Sequence, residues 1–213
     1  MSSNDAGAAQ EQFFARPRRA LVLGVAFLVA VALMALVVPM KSLSIDRTWS
    51  DAMESIASPA LKEIALVFNA LGRGLGWALT LAAVAGLLLV RRRIVALVAF
   101  VVAEALSSFL SALLKALVGR PRPPDGVVHP VGSSFPSGHA SYGAVTSIAL
   151  VLLFTAPGRR ARWWGIAALG ITAMAWSRTY LQVHWLSDVI GGVLLGTGIV
   201  LTTFAAAQFL GSE

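Results

Sequence analysis

Two histidines, one aspartate and several basic residues lie between positions 115 and 188, at the edges of hydrophobic runs. His184 and Asp188 are four residues apart, so on a helix they share a face and can hydrogen-bond. A carboxylate on one imidazole nitrogen fixes the tautomer and leaves the other nitrogen free to attack an electrophile. A structural His–Asp pair that ties down a helix end would show the same spacing.

Three cations come from separate parts of this stretch: Lys115, Arg122 and Arg178. A phosphate group in a partly desolvated site needs charge-assisted donors, and arginine offers a planar fork whereas lysine offers a point charge. Taken singly, such residues also snorkel to the membrane interface or, like Arg120 and Arg122, solvate a loop. As a set beside two histidines they favour an anion site.

The segment Ser134-Phe135-Pro136-Ser137-Gly138-His139 precedes a long apolar run. Ser137 is expected to cap a helix whose N-terminus offers free N–H groups and a positive dipole end to an anion. Gly138 removes side-chain bulk where a phosphate would approach the backbone. His139 then lies in the first turn and faces the bound group, although a lone histidine at a helix edge is more often a satisfied polar residue.

Together these residues predict phosphoryl transfer through a phosphohistidine, with His184 as nucleophile, Asp188 as its orienting acid and His139 as proton donor. Metal-assisted hydrolysis is disfavoured because three cations would repel a divalent ion, so we expect neither a metal nor a cofactor. Two rivals are an anion or lipid-phosphate transporter or binding protein without catalysis, and a purely structural bundle. The chain has no convincing internal repeat of the kind that transporters carry.

The chain that must position these residues is strongly apolar. Of its 213 residues 57% are hydrophobic and 13% are charged, against roughly one-quarter charged in soluble domains. This predicts an all-α integral membrane protein in a lipid bilayer. The net charge of +7 comes from basic residues scattered in threes at helix ends, which fits anionic lipid better than nucleic acid.

About six membrane spans are predicted by length. They cover residues 20–40, 65–90, 94–117, 138–157, 163–181 and 186–209. Between the first two, residues 44–63 predict an amphipathic helix lying at the interface, with Asp46 among its polar residues. Glu104 in the third span is interpreted as a structural partner for Ser107 or Ser108, or else as part of a pathway. Residues 1–15 are expected to be a disordered cytoplasmic tail, followed by one domain over residues 16–213.

Three arginine clusters fall on one side of this topology and should mark the cytoplasm. They precede the first span, separate the second from the third, and separate the fourth from the fifth: Arg16, Arg18 and Arg19; Arg91, Arg92 and Arg93; Arg159, Arg160 and Arg162. The candidate site residues then gather at the opposite, extracytoplasmic face of the cell membrane. Both termini are expected in the cytoplasm.

The motifs over residues 115–188 resemble the tripartite signature of the type 2 phosphatidic acid phosphatase (PAP2) superfamily. They are Lys115 followed after six residues by Arg122-Pro123, the segment Pro136-Ser137-Gly138-His139, and Ser177-Arg178 followed by His184 and Asp188. The superfamily includes lipid phosphate phosphatases, bacterial phosphatidylglycerophosphate and undecaprenyl pyrophosphate phosphatases, glucose-6-phosphatase and vanadium haloperoxidases.

The resemblance implies a metal-independent membrane phosphatase. In it, His184 attacks phosphorus, Asp188 orients His184, and His139 protonates the leaving oxygen and then assists water. It further implies that five residues bind the phosphate: Lys115, Arg122, Ser137, Gly138 and Arg178. The implied substrate is a membrane lipid phosphate, either an isoprenoid pyrophosphate such as undecaprenyl pyrophosphate, which we favour by analogy, or a glycerolipid such as phosphatidic acid or phosphatidylglycerophosphate.

Overall fold

A computed structural model describes residues 12–38 and 42–211, which form eight α-helices and one 3-10 turn at Pro157–Arg159. The helices are α1 (Pro17–Val37), α2 (Ser44–Ser55), α3 (Pro59–Leu71), α4 (Gly74–Val90), α5 (Ile94–Val118), α6 (Gly138–Phe154), α7 (Arg160–Tyr180) and α8 (Leu186–Leu210). These residues contain no strand, so the all-α prediction is confirmed.

Three helices, α1, α5 and α8, are long and apolar enough to cross a membrane, and α3 with α4 makes a fourth candidate bent by 58°. The helix α6 is apolar but has 17 residues. Large apolar side chains face outward from the bundle, including Val22 at 67%, Leu36 at 77% and Leu117 at 72% exposure. Such a surface suits lipid rather than water. The count of six spans stays a prediction.

The predicted amphipathic helix over residues 44–63 is divided in two. Helix α2 ends at Ser55, and α3 begins at Pro59, where Ser58 is the N-cap and accepts a hydrogen bond from Leu61 N at 3.4 Å. Proline pre-sets the first helical turn and disfavours helical conformation in the residue before it, so a new helix starts here. The prediction of one continuous helix was therefore wrong.

The predicted span 65–90 is also broken. Helix α3 stops at Leu71 and α4 starts at Gly74, whose φ of +54° is costly for residues other than glycine. The break exposes the last carbonyls of α3, which a continuous helix would have used internally. This places the backbone oxygen of Asn69 within reach of the site described below.

Residues 1–11 of the predicted tail lie outside the described residues. At its end, Phe13 N and Phe14 N donate hydrogen bonds to the Gln208 side chain at 3.0 and 2.8 Å. The ring of Phe13 is buried and packs edge-on against Phe204 in α8, with ring centroids 5.0 Å apart. The packed domain therefore begins before Arg16.

The arginine clusters lie at the same end of the bundle. Arg160 donates to the backbone oxygen of Phe13, and Arg93 donates to that of Leu153. At the other end, α2 and α3 are tied to the end of α7. Ser50 donates to the Gln182 side chain at 2.6 Å, and Ser58 N donates to the Tyr180 hydroxyl at 2.8 Å.

The start of α6 lies directly against α8 because two glycines of α8 lack side chains. A Cβ added at Gly192 would lie 2.3 Å from Ser137 O, and one added at Gly196 would lie 2.2 Å from Ser141 O. Both contacts are with backbone, which cannot move aside as a flexible side chain does. The two helices are therefore in backbone contact where α6 begins.

We predict that Gly196→Ala lowers the thermal unfolding temperature in detergent by several degrees, because overpacking of this kind costs about 1–3 kcal/mol. The matched control is Gly86→Ala in α4, where an added Cβ meets nothing within 4 Å. That change should leave stability unaltered or improve it, because alanine favours helix over glycine. An equal loss in both variants would contradict the close packing of α6 on α8.

Candidate active site

His184 lies in the short connection before α8, with one ring nitrogen toward a carboxylate and the other toward a guanidinium. Its Nδ1 is 3.5 Å from Asp188 Oδ2, and its Nε2 is 3.3 Å from Arg122 Nη1. Only 6% of the residue is exposed. The Nδ1 distance is longer than an ordinary hydrogen bond.

The spacing of His184 and Asp188 had suggested that both lie on one helix. In the structure they do not. Helix α8 begins at Leu186 after Trp185 as N-cap, so His184 precedes it. Asp188 Oδ2 accepts a hydrogen bond from Trp185 N at 2.9 Å. The carboxylate thus closes the first turn of α8, which turns the preceding chain so that the imidazole lies against the same oxygen.

Arg122 and Lys115 approach from the loop after α5 and from the last turn of α5. Arg122 donates to Val183 O at 2.7 Å, to Gly132 O at 2.9 Å and to Ser133 O at 3.1 Å. Lys115 Nζ donates to Pro136 O at 2.6 Å and to Ser133 O at 3.1 Å. Backbone oxygens therefore hold both cations in place without cancelling their charge, which keeps that charge available to an anion.

The segment 134–139 forms the start of α6 as expected. Ser137 is the N-cap, its Oγ accepts from Ala140 N at 3.4 Å, and its own N–H donates to Asp188 O at 2.9 Å. Gly138 and His139 are the first two residues of the helix. The positive end of α6 is therefore held against the backbone of Asp188.

His139 and Arg178 share a partner that the sequence did not reveal. Asn69, near the end of α3, has its backbone oxygen 3.2 Å from His139 Nε2, and its side-chain oxygen accepts from Arg178 Nη1 at 2.8 Å. The His139 ring also packs on Gly72, where an added Cβ would lie 2.4 Å from the ring. The break between α3 and α4 produces these contacts, and Arg73 with the glycines around it was the signal in the sequence that could have indicated the break.

Arg178 is buried, with 2% exposure, yet it does not use all of its donors. Its Nε and Nη2 have no hydrogen-bond partner among the residues that the structure describes. Buried guanidinium donors without partners are costly, and an anion bound beside them would satisfy them. This is the most direct indication that the site is built to receive an oxyanion.

Burial lowers the pKa of His184 from its ordinary value to about 4, and the charges of Lys115 and Arg122 act in the same direction. Contact with Asp188 opposes this shift. The imidazole is therefore neutral at pH 7 and carries a lone pair. Burial also lowers the pKa of Arg122, against the charge of Asp188, but a guanidinium remains protonated at pH 7.

The site also includes Arg120 and Asp46. For Arg120 the sequence interpretation had offered only the alternative that it solvates a loop, and it had placed Asp46 among the polar residues of the interfacial helix. Both are buried at 1% exposure. Arg120 Nη1 lies 2.5 Å from Asp188 Oδ1, and Arg120 Nη2 lies 2.6 Å from Asp46 Oδ2. The solvated alternative does not hold for Arg120, and the polar-face placement of Asp46 was wrong because helical periodicity does not show that another element will cover a polar face. The one available signal was a second arginine beside Arg122.

Glu104 is buried in the bundle, but its partner differs from the one expected. Its carboxylate accepts from Thr146 Oγ1 at 2.7 Å, while Ser107 pairs with Ser141 at 2.7 Å. The carboxylate therefore links α5 to α6. Over residues 12–38 and 42–211, no group of three or more histidine or acidic side chains is arranged to hold a metal ion.

Comparison with solved structures shows the fold. The crystal structure of the first transmembrane PAP2 type phosphatidylglycerolphosphate phosphatase from Bacillus subtilis is similar with a TM-score of 0.73 and 24% identity, covering 86% of this chain and 94% of that one. The crystal structure of LpxE from Aquifex aeolicus is similar with a TM-score of 0.64 and 21% identity, covering 76% of this chain and 96% of that one.

Sequence comparison adds two findings. A 74-residue segment is 43% identical to an undecaprenyl-diphosphatase of Sulfolobus acidocaldarius and covers 33% of this chain. The match spans only 32% of that archaeal protein. The PAP2 superfamily matches residues 96–211, which is more than half of the chain and includes all three motifs. This chain therefore belongs to the PAP2 superfamily, as its motifs indicated.

Proposed function

We propose that this chain is a membrane lipid phosphatase that transfers a phosphoryl group from a lipid phosphate or pyrophosphate to His184 and then to water. The supporting observation is the position of His184, whose Nε2 faces Arg122 while its Nδ1 faces Asp188. The nitrogen that does not face Asp188 and the charge of Arg122 therefore lie side by side. A protein that only held an anion would not need a carboxylate behind the imidazole.

In the first step the neutral His184 Nε2 forms a bond to the terminal phosphorus, and the bond from that phosphorus to the leaving oxygen breaks. The leaving oxygen is the lipid oxygen of a monoester or the bridging oxygen of a pyrophosphate, which leaves as the lipid monophosphate. His139 gives its proton to that leaving oxygen. Asp188 stabilises the positive charge that develops on the imidazole. In the second step water attacks the phosphohistidine, His139 takes the proton of that water, and inorganic phosphate leaves with His184 regenerated.

Five residues hold the phosphoryl oxygens in this proposal: Lys115, Arg122, Ser137, Gly138 and Arg178. The three cations neutralise the charge that spreads over the equatorial oxygens in the transition state. Gly138 leaves room at the start of α6, where an added Cβ would already lie 3.3 Å from Ser111 Oγ. Because the cations act on the charge of the transition state, loss of any one of them should weaken transition-state binding more than it weakens folding.

The lipid substrate that we favour is an isoprenoid pyrophosphate. The support is the 43% identity over 74 residues with a protein named undecaprenyl-diphosphatase. Glycerolipid phosphates are the competing class. The active site is proposed to face the extracytoplasmic side, because all three arginine clusters lie at the other end of the chain's topology.

The direct test is phosphate release in a metal chelator from undecaprenyl pyrophosphate, phosphatidic acid and phosphatidylglycerophosphate. We expect the wild-type protein to turn over at least one, with the isoprenoid pyrophosphate fastest. We expect His184→Gln to reduce kcat by at least about 10³-fold because the nucleophile is lost. Rapid quenching with labelled substrate should trap alkali-stable phosphate on the wild-type protein and none on the variant.

Thermal unfolding of His184→Gln in the same detergent is the control for folding. A folded variant that keeps wild-type turnover would contradict the assigned nucleophile. Tight binding of a lipid phosphate without phosphate release by the wild-type protein would support the transporter or binding protein instead.

The pH profile should show the lowered pKa of His184. The His184 imidazole must be unprotonated to attack phosphorus. We therefore expect kcat/KM to fall about tenfold per pH unit below pH 4, and to be independent of the protonation of His184 above pH 4. The ionisation of the substrate, measured by phosphorus NMR in the same micelles, must be removed from the profile first. A remaining enzyme limb near pH 6.5 would contradict the buried, cation-flanked imidazole.

Orientation is tested by labelling, which the chain makes simple because it has no cysteine. Val131→Cys introduces a thiol at a position 97% exposed, in the loop that carries Arg122. We expect an impermeant maleimide to label it on intact cells. Ala161→Cys, an exposed position in an arginine cluster, should be labelled only after permeabilisation. The reverse pattern would invert the proposed topology.

A further inference from the structure

A buried charge cluster lies behind the proposed His184–Asp188 pair. The Arg120 guanidinium lies between two carboxylates, and its side chain and those of Asp46 and Asp188 are fully buried. Its Nη1 donates to Asp188 Oδ1 at 2.5 Å and to Ser187 Oγ at 2.7 Å, and its Nη2 donates to Asp46 Oδ2 at 2.6 Å. The mechanism above uses neither Arg120 nor Asp46.

Asp46 is bound on several sides, so its carboxylate cannot rotate freely. Its Oδ1 accepts from Ser187 N at 2.9 Å, and its Oδ2 accepts from Ser187 Oγ at 2.9 Å and from Leu43 N at 3.0 Å. It therefore fixes both the start of α2 and the residue preceding Asp188. The contacts with Ser187 span 141 positions of sequence.

The two oxygens of Asp188 are occupied differently as a result. Oδ1 is held by Arg120, while Oδ2 accepts from Trp185 N and faces His184. If Oδ1 were released, the carboxylate could turn about its Cβ–Cγ bond, and Oδ2 would no longer be directed at the imidazole. The orientation of the Asp188 carboxylate toward His184 thus depends on the Arg120 guanidinium, which lies behind the pair.

We propose that Arg120 and Asp46 are positioning residues that direct Asp188 at His184, which rests on the phosphohistidine mechanism proposed above. Arg120 serves two carboxylates with one positive charge, so the cluster retains one net negative charge. That charge lies behind His184, where it stabilises the imidazolium character of the phosphorylated ring. Asp46 prevents Arg120 from neutralising Asp188 completely.

The proposal also gives α2 a role in the reaction. Asp46 is the buried acid in the first turn of this helix, whose neighbours Ile45 and Arg47 are exposed. A displacement of α2 would withdraw Asp46 from Arg120 and Ser187 together. Helix α2 is therefore part of the support of the catalytic pair as well as a surface element.

The test is a double-mutant cycle on phosphate release. Arg120→Lys keeps the positive charge but loses the planar fork that reaches both carboxylates. We expect it to lower kcat by about tenfold or more in the wild-type background, with KM changed less than about twofold. In the Asp188→Asn background, the same change should alter kcat by less than about twofold, because its target is already absent.

Asp46→Asn should show the same coupling to Asp188→Asn with a smaller loss, because the pair of Arg120 and Asp188 remains. The matched control on α2 is Asp51→Asn, an exposed acid that should leave kcat unchanged. Thermal unfolding identifies variants that fail through folding. Asp46→Asn is the second variant for the cycle if Arg120→Lys does not fold.

Losses for Arg120→Lys of equal proportion in both backgrounds would overturn the proposal, since a purely structural role does not depend on Asp188. Unchanged kcat in a folded Arg120→Lys variant would overturn it as well. Both outcomes leave wild-type activity and its loss in His184→Gln intact. They are thereby distinct from a failure of the proposed phosphatase function, in which the wild-type protein itself releases no phosphate.

Discussion

The ion pairs of Arg120 with Asp46 and Asp188 are the interaction on which the arrangement of the end of the bundle that carries the candidate site depends. Three charged side chains buried beside an apolar bundle are tolerated only when each is paired and hydrogen-bonded. Satisfying Arg120 brings together α2, the loop after α5 and the first turn of α8, which are distant in sequence. The His184 imidazole then lies against a carboxylate that is already fixed.

The remaining site residues are brought together by helix ends and close backbone packing. The glycines of α8 let α6 begin in contact with it, so Ser137 N reaches Asp188 O. The break between α3 and α4 frees a carbonyl and an amide of Asn69 for His139 and Arg178. Lys115 and Arg122 are held by carbonyl oxygens, so their charge remains available. Lys115, Arg122 and Arg178 therefore donate to neutral oxygens.

Much of the candidate site was predictable because its residue types and spacings follow from one reaction class. The structure brings His184, Asp188, Arg122, His139 and Arg178 to one end of the bundle, as their places at span edges indicated. The helical explanation for the His184 pair was wrong, since α8 starts after it. The continuous helix over 44–63 failed at Pro59, and Asp46 was assigned to the wrong environment. Apolar periodicity shows which face of a helix is apolar on average. It does not show where local caps end one helix and begin the next.

The sequence by itself determined the membrane class and the all-α fold, and it indicated the candidate groups for binding a phosphoryl anion. Hydrophobic length, cation placement and motif spacing are local properties that can be read along the chain. Only the tertiary structure decided that Asp46, Asn69 and Arg120 complete the site. Their partners are distant in sequence. Arg120 contacts Asp188, 68 positions away, and Asp46 contacts Ser187, 141 positions away. Asn69 contacts His139 and Arg178, which are 70 and 109 positions away. Such contacts arise from how whole helices pack, which no single stretch of sequence records.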